Sequence, residues 1–207
     1  MSTRSDSLSM LLKRVRECQH CAAELPHDPR PVLRLSKLSK VVIVGQAPGA
    51  KVHASGIPWQ DDSGDHLREW LNVSDNEFAN ANNFGILPMS FCWPGRRTGG
   101  DLPPRPECAP LWHPSILEQL PRRALILLVG SYAVAHYLPG RKKTLTETVR
   151  AFDSYLPQFL PLPHPSWRSK HWIKKNPWFA SDVVPELRRQ VRQKIGNSCQ
   201  VNDHKAT

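Results

Sequence analysis

The sequence lacks long apolar runs, internal repeats and low-complexity tracts. No stretch approaches the roughly 18 consecutive apolar residues that a membrane-spanning helix needs, which excludes a membrane-spanning protein. The opening segment MSTRSDSLSMLLKR also lacks the apolar core of about 7–15 residues that a secretory signal contains. The absence of repeats excludes a solenoid. We therefore expect a cytoplasmic protein with no membrane partner.

Acidic residues are scarce relative to basic ones. Eighteen Asp and Glu residues face 28 Lys and Arg residues, so the net charge is +10 and the pI is about 9.7. This surplus favours a polyanionic partner such as nucleic acid, because each neutralised phosphate releases counterions. A basic soluble protein without such a partner would have the same composition. The 207 residues fit one domain, which we expect to span residues 1–196 of a monomer, followed by a polar, disordered tail over 197–207.

Alternating apolar patterns predict the fold class. Short β-branched runs predict buried strands, and apolar residues at helical spacing predict helices between them. The predicted strands are Val41–Val44, Phe84–Phe91, Leu125–Gly130 and Phe159–Leu162. The predicted helices are Leu8–Glu17, Ser63–Leu71, Pro110–Leu120, Tyr132–Leu138, Thr144–Phe152 and Asp182–Ile195, with a loop over Trp93–Pro106. The alternation predicts an α/β three-layer sandwich with a central, mostly parallel four-stranded sheet flanked by helices.

A sheet of this kind predicts where a ligand binds. Ligands of parallel sheets bind beyond the carboxyl ends of the strands. In this sequence those ends carry Gln46, Cys92, Gly130 and His164. We therefore expect one functional site that these residues share.

Four of the five cysteines suggest a metal centre. Cys18 and Cys21 form a C-x2-C pair, Cys92 and Cys108 are widely spaced, and Cys199 stands alone in the polar tail. Disulfides are not expected in a protein that is not secreted, and clustered thiolates there more often hold metal. Soft sulfur ligands suit an iron–sulfur cluster or Zn²⁺, and the wide second pair favours the cluster. Four buried structural thiols are the alternative interpretation.

Two further segments contain candidate ligand-binding residues. Gly45–Gly49 follows a predicted strand, and its exposed amides can approach a ligand closely, although such a turn is often only a turn. His164–Ser166 follows the last predicted strand and leads into Trp167–Lys175, in which aromatic and basic residues alternate. Such a segment can stack on bases and bind phosphates. An amphipathic helix with its tryptophans docked on the core is the alternative.

In this order the motifs resemble those of the uracil-DNA glycosylase superfamily, and above all its iron–sulfur-containing branches, families 4 and 5. The resemblance covers roughly residues 18–178. Gly45–Gly49 is similar to the first motif, the water-positioning loop. Gly56–Trp59 falls where the family has Gly-x-Pro-Phe, whose aromatic ring stacks on the extruded base. His164–Ser166 matches the second catalytic motif, whose histidine binds uracil O2.

The resemblance implies a cofactor and a set of site residues. The four cysteines fall on the ligands of a structural [4Fe–4S] cluster, so the cluster ligands are Cys18, Cys21, Cys92 and Cys108, with Zn²⁺ as the alternative metal. The implied catalytic residues are His164, Gln46, Ala47 and Asp61, and the base-binding residues are Trp59, Pro48 and Gly49. The implied DNA-binding residues are Ser166, Arg168, Lys170 and Lys174. The partner is DNA that contains a damaged or deaminated base.

Two positions depart from the family pattern. Family 1 has an acid at the position of Ala47, and family 4 has Glu at the position of Gln46, so the usual water-activating group is absent from its expected place. Asp61, Asp62 or His53 can replace it, or no base operates. The uracil-reading asparagine of the family is replaced by Pro88, which cannot read a base edge through its side chain.

These observations lead to two hypotheses from different classes. The first is a monofunctional DNA glycosylase that hydrolyses the N-glycosidic bond of uracil or another deaminated base. The second is a catalytically silent DNA-binding protein with the same fold, which the residues at positions 47 and 88 favour. A cluster-bearing electron-transfer protein is a third interpretation, but the sequence shows no flavin or nicotinamide fingerprint.

Overall fold

The structure is a computed structural model that describes residues 7–167 and 169–196. The predicted DNA-binding residue Arg168, the isolated Cys199 and the predicted tail over 197–207 therefore lie outside the described residues. In the described part of the chain, no helix combines the length and the apolar composition that crossing a membrane requires.

Helices and strands alternate along the described chain as the sequence predicts. In order they are α1 (Leu8–Arg16), β1 (Val41–Val44), α2 (Ala50–Ser55), α3 (Asp62–Leu71), α4 (Asp75–Ala79), β2 (Phe84–Ile86), β3 (Arg96–Arg97), β4 (Gly100–Asp101), α5 (Cys108–Leu117), β5 (Leu125–Val129), α6 (Ser131–Tyr137), α7 (Leu145–Arg150), β6 (Phe159–Leu162), α8 (Ser169–Lys175) and α9 (Val184–Ile195). A π-helical turn over Phe179–Val183 leads directly into α9.

Four strands form the central sheet in the order β2-β1-β5-β6. Every pairing is parallel, so the sheet is wholly and not merely mostly parallel. After β1 the chain adds β2 on one side and then β5 on the other, which makes the gap between β1 and β5 the topological switch point. Ligand sites of open α/β sheets lie at this point, beyond the carboxyl ends of the strands.

Both faces of the sheet are buried, which explains the unbroken apolar run of β1. Val42 and Val44 pack with the apolar faces of α1, α5 and α6, and Val41 and Ile43 pack with those of α3, α4, α7 and α9. Alternate residues of one strand thus enter opposite helical layers. The three-layer α/β sandwich predicted from the sequence is confirmed.

Several predicted boundaries are wrong. The second strand ends at Ile86, because Pro88 has no N–H for the ladder; residues 87–91 continue as buried, irregular chain. Cys92 is therefore not at the carboxyl end of a strand. The cap of α3 is Asp61 and not Ser63, since the Asp61 carboxylate accepts a hydrogen bond from the Gly64 N–H. The predicted loop after Trp93 contains the hairpin β3–β4.

Candidate active site

The loop after β1 is tied to the chain that follows β2. The carbonyl groups of Gly45 and Gln46 accept hydrogen bonds from the N–H groups of Met89 and Ser90 at 2.9 and 3.1 Å. These bonds continue the β1–β2 pairing in direction but without regular strand geometry, because Pro88 interrupts it. The loop over residues 45–49 is thereby fixed at the switch point of the sheet.

Trp59 adopts a backbone conformation that is rare for an aromatic residue. Its φ is 59°, in the left-handed region, and its carbonyl accepts a hydrogen bond from the Arg68 guanidinium at 3.2 Å. A Cβ on Gly45 would lie 3.0 Å from the indole Cζ2, so the ring lies directly against that glycine. Strained residues that several neighbours hold in place are frequent at functional sites.

His164 faces Trp59 from the end of β6. The centroids of the two rings are 6.0 Å apart, and the planes are inclined by 31°. Burial lowers the pKa of His164 below its ordinary value, while the nearby carboxylates of Asp61 and Asp101 act in the opposite direction. The neutral imidazole therefore prevails at neutral pH, with one N–H to donate.

A single cavity gathers all the predicted catalytic and base-binding residues. The inner cavity has a volume of about 50 Å³, and Gly49, Asp61 and His164 also line an adjoining outer pocket of about 340 Å³. The predicted residues that line the inner cavity are Gln46, Ala47, Pro48, Gly49, Trp59, Asp61 and His164. The structure thus brings together predicted residues that lie more than 100 positions apart in the sequence.

Of the three candidate water-activating side chains, the structure brings only Asp61 to the described lining of the cavity. Asp62 is exposed and forms an ion pair with Lys51 at 2.7 Å. The His53 ring contacts that of His27, with centroids 4.0 Å apart and planes inclined by 39°, and its Nδ1 is buried with no hydrogen-bond partner among the described residues. Asp61 is therefore the one of these three candidates that lines the cavity among the described residues.

Pro88 forms part of the cavity wall at the position where the family has asparagine. Its carbonyl lies 3.0 Å from Nε2 of the buried His113, and His113 Nδ1 lies 2.6 Å from the Tyr137 hydroxyl. Because a carbonyl only accepts, Nε2 carries the proton and donates, and Nδ1 accepts from the hydroxyl. The hydrogen bonds from Tyr137 to His113 and from His113 to the Pro88 carbonyl thus hold Pro88 in place.

The hairpin β3–β4 places the carboxylate of Asp101 at the pocket. No sequence motif had indicated this residue. Asp101 lines the outer part of the pocket together with Gly49, Asp61 and His164. Its Oδ1 accepts a hydrogen bond from the Trp93 indole N–H at 3.3 Å. The local signal for this hairpin is weak, because two-residue strands carry no apolar alternation, and only the glycines at positions 99 and 100 indicate a turn.

The predicted DNA-binding segment lies at the rim of the pocket. Ser166 lines the outer pocket beside His164, and Lys170 and Lys174 of α8 share a shallow groove with Trp167, which precedes the helix. The Trp167 side chain is 72% exposed. The rim thus presents an indole and two ammonium groups to solvent next to the pocket mouth.

The four cysteines predicted as ligands are close together. Cys21 and Cys92 share a small buried cluster, and the thiols of Cys92 and Cys108 lie within electrostatic range of those of Cys18 and Cys21. None of the four forms a disulfide. Burial raises the pKa of Cys92 to about 11 and that of Cys108 to about 12.

The surroundings of the four thiols can be compared with those of known metal ligands. Backbone N–H groups of Arg30 and Phe91 donate to the sulfurs of Cys92 and Cys108, as N–H groups do around iron–sulfur clusters. Within the described residues, no group of three or more His, Cys, Asp or Glu side chains is already arranged to hold a metal ion. The set of four sulfur donors fits a cluster or Zn²⁺ in its chemistry.

Comparison with protein families identifies a match over most of the chain. The sequence model described as the uracil DNA glycosylase superfamily matches residues 34–188. The matched range includes the whole central sheet, the cavity and the rim segment. The first cysteine pair lies before it.

Proposed function

This chain belongs to the uracil DNA glycosylase superfamily, and from that premise we propose that it hydrolyses the N-glycosidic bond of uracil or another deaminated base in DNA. The observation that carries the proposal is that the rings of Trp59 and His164 face one pocket at the switch point of the sheet. A pocket of this kind suits a planar base turned out of its helix.

Trp59 binds the extruded base by stacking. Its indole is held against Gly45, and its backbone is fixed by Arg68, so the ring is in position before the base arrives. Base–aromatic stacking contributes about 1–3 kcal/mol. Little side-chain entropy is then lost on binding, because the ring is already ordered.

His164 stabilises the departing base. Cleavage passes through an oxocarbenium-like transition state in which the base collects negative charge, and a neutral imidazole N–H donates to that charge. The pocket is partly shielded from water, which strengthens such a hydrogen bond. Removing one donor of this type costs about 2.7–4 kcal/mol of transition-state stabilisation.

The attacking water is positioned by the first loop. Backbone groups around Ala47 and Pro48 line the pocket, and Gln46 lies beside them with its side-chain N–H₂ directed to the Leu102 carbonyl at 3.4 Å. Asp61 adds a negative charge that stabilises the cationic sugar. Its fixed position at the start of α3 supports this role.

The rim segment holds the DNA. Ser166 is placed to donate to a phosphate, Lys170 and Lys174 supply positive charge, and the exposed Trp167 indole can stack on neighbouring bases. Arg168 is proposed for the same role from its sequence position. The strong net charge of +10 supports a polyanionic partner.

We also propose a [4Fe–4S] cluster held by Cys18, Cys21, Cys92 and Cys108, with Zn²⁺ as the alternative. The all-sulfur donor set and the N–H groups directed at two of the sulfurs support it. When bound, the cluster supplies structural cross-linking between the end of α1, the chain before β3 and the start of α5. No step of the base-removal chemistry depends on it.

The experiment that tests the function is a cleavage assay with uracil, hypoxanthine and xanthine in single-stranded and mismatched DNA. We expect the wild type to release at least one of these bases and His164→Ala to slow release at least about 100-fold. His136→Ala, on the exposed face of α6, is the matched control and should retain activity. A wild type that releases none of the three bases contradicts the proposal.

The second candidate function is a silent DNA-binding protein. Ala47 and Pro88 favour it, because both line the pocket without offering a catalytic or base-reading side chain. Binding to damaged DNA that survives His164→Ala, without base release by the wild type, would identify this function.

A further inference from the structure

The hairpin β3–β4 carries Asp101 to the mouth of the catalytic pocket. Its Oδ2 lies 3.5 Å from the point where a Cβ on Gly49 would stand, and Oδ2 of Asp61 lies 3.8 Å from the same point. The two carboxylates therefore flank Gly49, which follows the proposed water-positioning residues in the first loop. A larger residue at position 49 would come between them.

Each of these carboxylates has one oxygen anchored. Oδ1 of Asp61 accepts the Gly64 N–H at 2.9 Å, and Oδ1 of Asp101 accepts the Trp93 indole N–H at 3.3 Å. In both side chains it is the other oxygen that lies beside Gly49. The anchoring bonds thus fix the orientation of both groups toward the pocket.

The groups that hold the Asp61 and Asp101 carboxylates differ in their electrostatic effect on these side chains. Asp61 sits at the N-terminus of α3, where the helix dipole stabilises its negative charge. Asp101 is carried by a short hairpin and is held by a single neutral donor. Asp61 also lines the inner cavity beside Trp59, whereas Asp101 lines the outer pocket, where water enters from solvent.

We propose that Asp101 is a catalytic residue of this site, and that its free oxygen accepts the proton of the attacking water while Asp61 stabilises the sugar cation. The inference rests on the proposed function. His164 lines the same pocket and lies within electrostatic range of both carboxylates, so the three groups surround one volume. Lys51 and Arg96, which line the outermost part of the pocket, are the cations that face it.

The proposed step is a hydrolysis in which water replaces the base at C1′. The C1′–N bond breaks and its electron pair leaves with the base, whose negative charge the His164 N–H stabilises. The water oxygen forms the new bond to C1′, and one water proton passes to Asp101. That proton later reaches the released base, so the sum is hydrolysis without any further reactant.

Trp93 acts on this chemistry only as a positioning residue. Its indole N–H orients Asp101, and its ring is stacked on His27 with centroids 5.3 Å apart and an inclination of 4°. The Trp93 carbonyl lies 2.9 Å from His27 Nε2, which fixes the backbone as well. Trp93→Phe therefore removes the N–H while an aromatic ring remains on His27.

The test measures base release and the binding of two abasic analogues in single-stranded DNA. One analogue is a cationic pyrrolidine that mimics the charged sugar, and the other is a neutral tetrahydrofuran. We expect the wild type to bind the cationic analogue at least about tenfold more tightly, because close opposite charges attract strongly in a shielded site. Asp101→Asn should slow base release about 100-fold or more, and it should lower this preference in part, because it removes one of the two negative charges beside Gly49 while Asp61 remains.

Three further measurements separate catalysis from structure. Asp101→Ala should regain activity on addition of formate, which supplies a carboxylate to the vacated space, and Trp93→Phe should show an intermediate loss of kcat with little change in KM. Asp62→Asn is the matched control, since it removes the same charge one residue from Asp61 but outside the pocket. It should leave both the rate and the preference unchanged.

The outcomes distinguish the two proposals. Base release by Asp101→Asn at the wild-type rate, with its preference for the cationic analogue intact, overturns the role of Asp101. A wild type that releases no base but shows an Asp101-dependent preference for the cation contradicts the glycosylase function and retains the charged site. A wild type with neither property overturns both.

Discussion

The carbonyl oxygen of Trp59 lies 1.8 Å from the point where a Cβ at Gly64 would stand. Helix α3 therefore begins directly beside the backbone of the stacking residue, and only glycine allows this approach. The same carbonyl accepts the Arg68 hydrogen bond, so α3 determines the left-handed conformation of Trp59. Gly64 thus influences the orientation of the Trp59 indole, although it lies outside the stacking contact itself.

Gly64→Ala should misplace the indole. Alanine favours a helix by about 1 kcal/mol over glycine, so any net loss must come from the contact with Trp59. We expect the free energy of unfolding to fall by about 1–3 kcal/mol and base release to slow at least about tenfold. Urea denaturation and the cleavage assay measure both. Gly140→Ala is the control, because a Cβ there meets no atom within 4 Å; wild-type activity in Gly64→Ala would contradict this prediction.

The lysines of α8 should determine the salt dependence of DNA binding. Each phosphate contact to single-stranded DNA contributes about −0.7 to the slope of log K against log[salt]. Replacing both Lys170 and Lys174 with Ala should make that slope shallower by about 1.4 while the cleavage rate at saturating DNA stays unchanged. Fluorescence anisotropy at several salt concentrations measures the slope. Lys13→Ala, whose side chain pairs with Glu17 on α1, should leave it unchanged.

His113 should make the stability of the protein depend on pH. Burial lowers its pKa to about 4 from 6.5, so between these values the unfolded chain takes up a proton that the folded protein excludes. Stability is therefore lost as the pH falls through this window, and at pH 5 the loss from this group is about 2 kcal/mol. Urea denaturation at pH 7 and pH 5 should show a smaller difference for His113→Gln than for the wild type.

The control for that measurement is His171→Gln, which replaces an exposed histidine on α8. It should show the same difference between pH 7 and pH 5 as the wild type. An unchanged difference in His113→Gln would mean that the buried imidazole does not exclude the proton.

Iron content should depend on the four clustered cysteines and not on the fifth. Anaerobically purified wild type should be brown and contain about four iron atoms per chain, as a [4Fe–4S] centre requires. Cys92→Ser and Cys108→Ser should lower the iron content and the melting temperature, because the segments around α1 and α5 lose their cross-link. Cys199→Ser should change neither. Colourless protein that contains zinc would show that Zn²⁺ is the metal.

The sequence predicts the sheet well because its signals are local. The β-branched run of β1 and the glycine after it identify a buried strand, and both β1 and β6 have the predicted bounds. The carboxyl ends of parallel strands lie at the same edge of the sheet, so topology predicts that Gln46 and His164 lie at one edge, although β5 separates their strands. The position of Asp101 in the pocket cannot be predicted in this way. It depends on a hydrogen bond from Trp93 and on a hairpin that no periodic sequence pattern indicates.

The conformation of Trp59 cannot be predicted from the local sequence either. A left-handed aromatic residue contradicts intrinsic preference, and tertiary contacts with α3 impose it. The cap of α3 shows a smaller failure of the same kind, since Asp61 and Ser63 are both good capping residues and only the folded chain distinguishes them.

The order of strands along the chain has a consequence for biosynthesis. The strand that precedes His164 is the last one of the sheet to leave the ribosome, and α8 follows it. A nascent chain that has already exposed Trp59 still lacks the opposing imidazole and the lysines of the rim. The pocket can therefore be completed only after β6 and the residues that follow it have been synthesised and have joined the sheet.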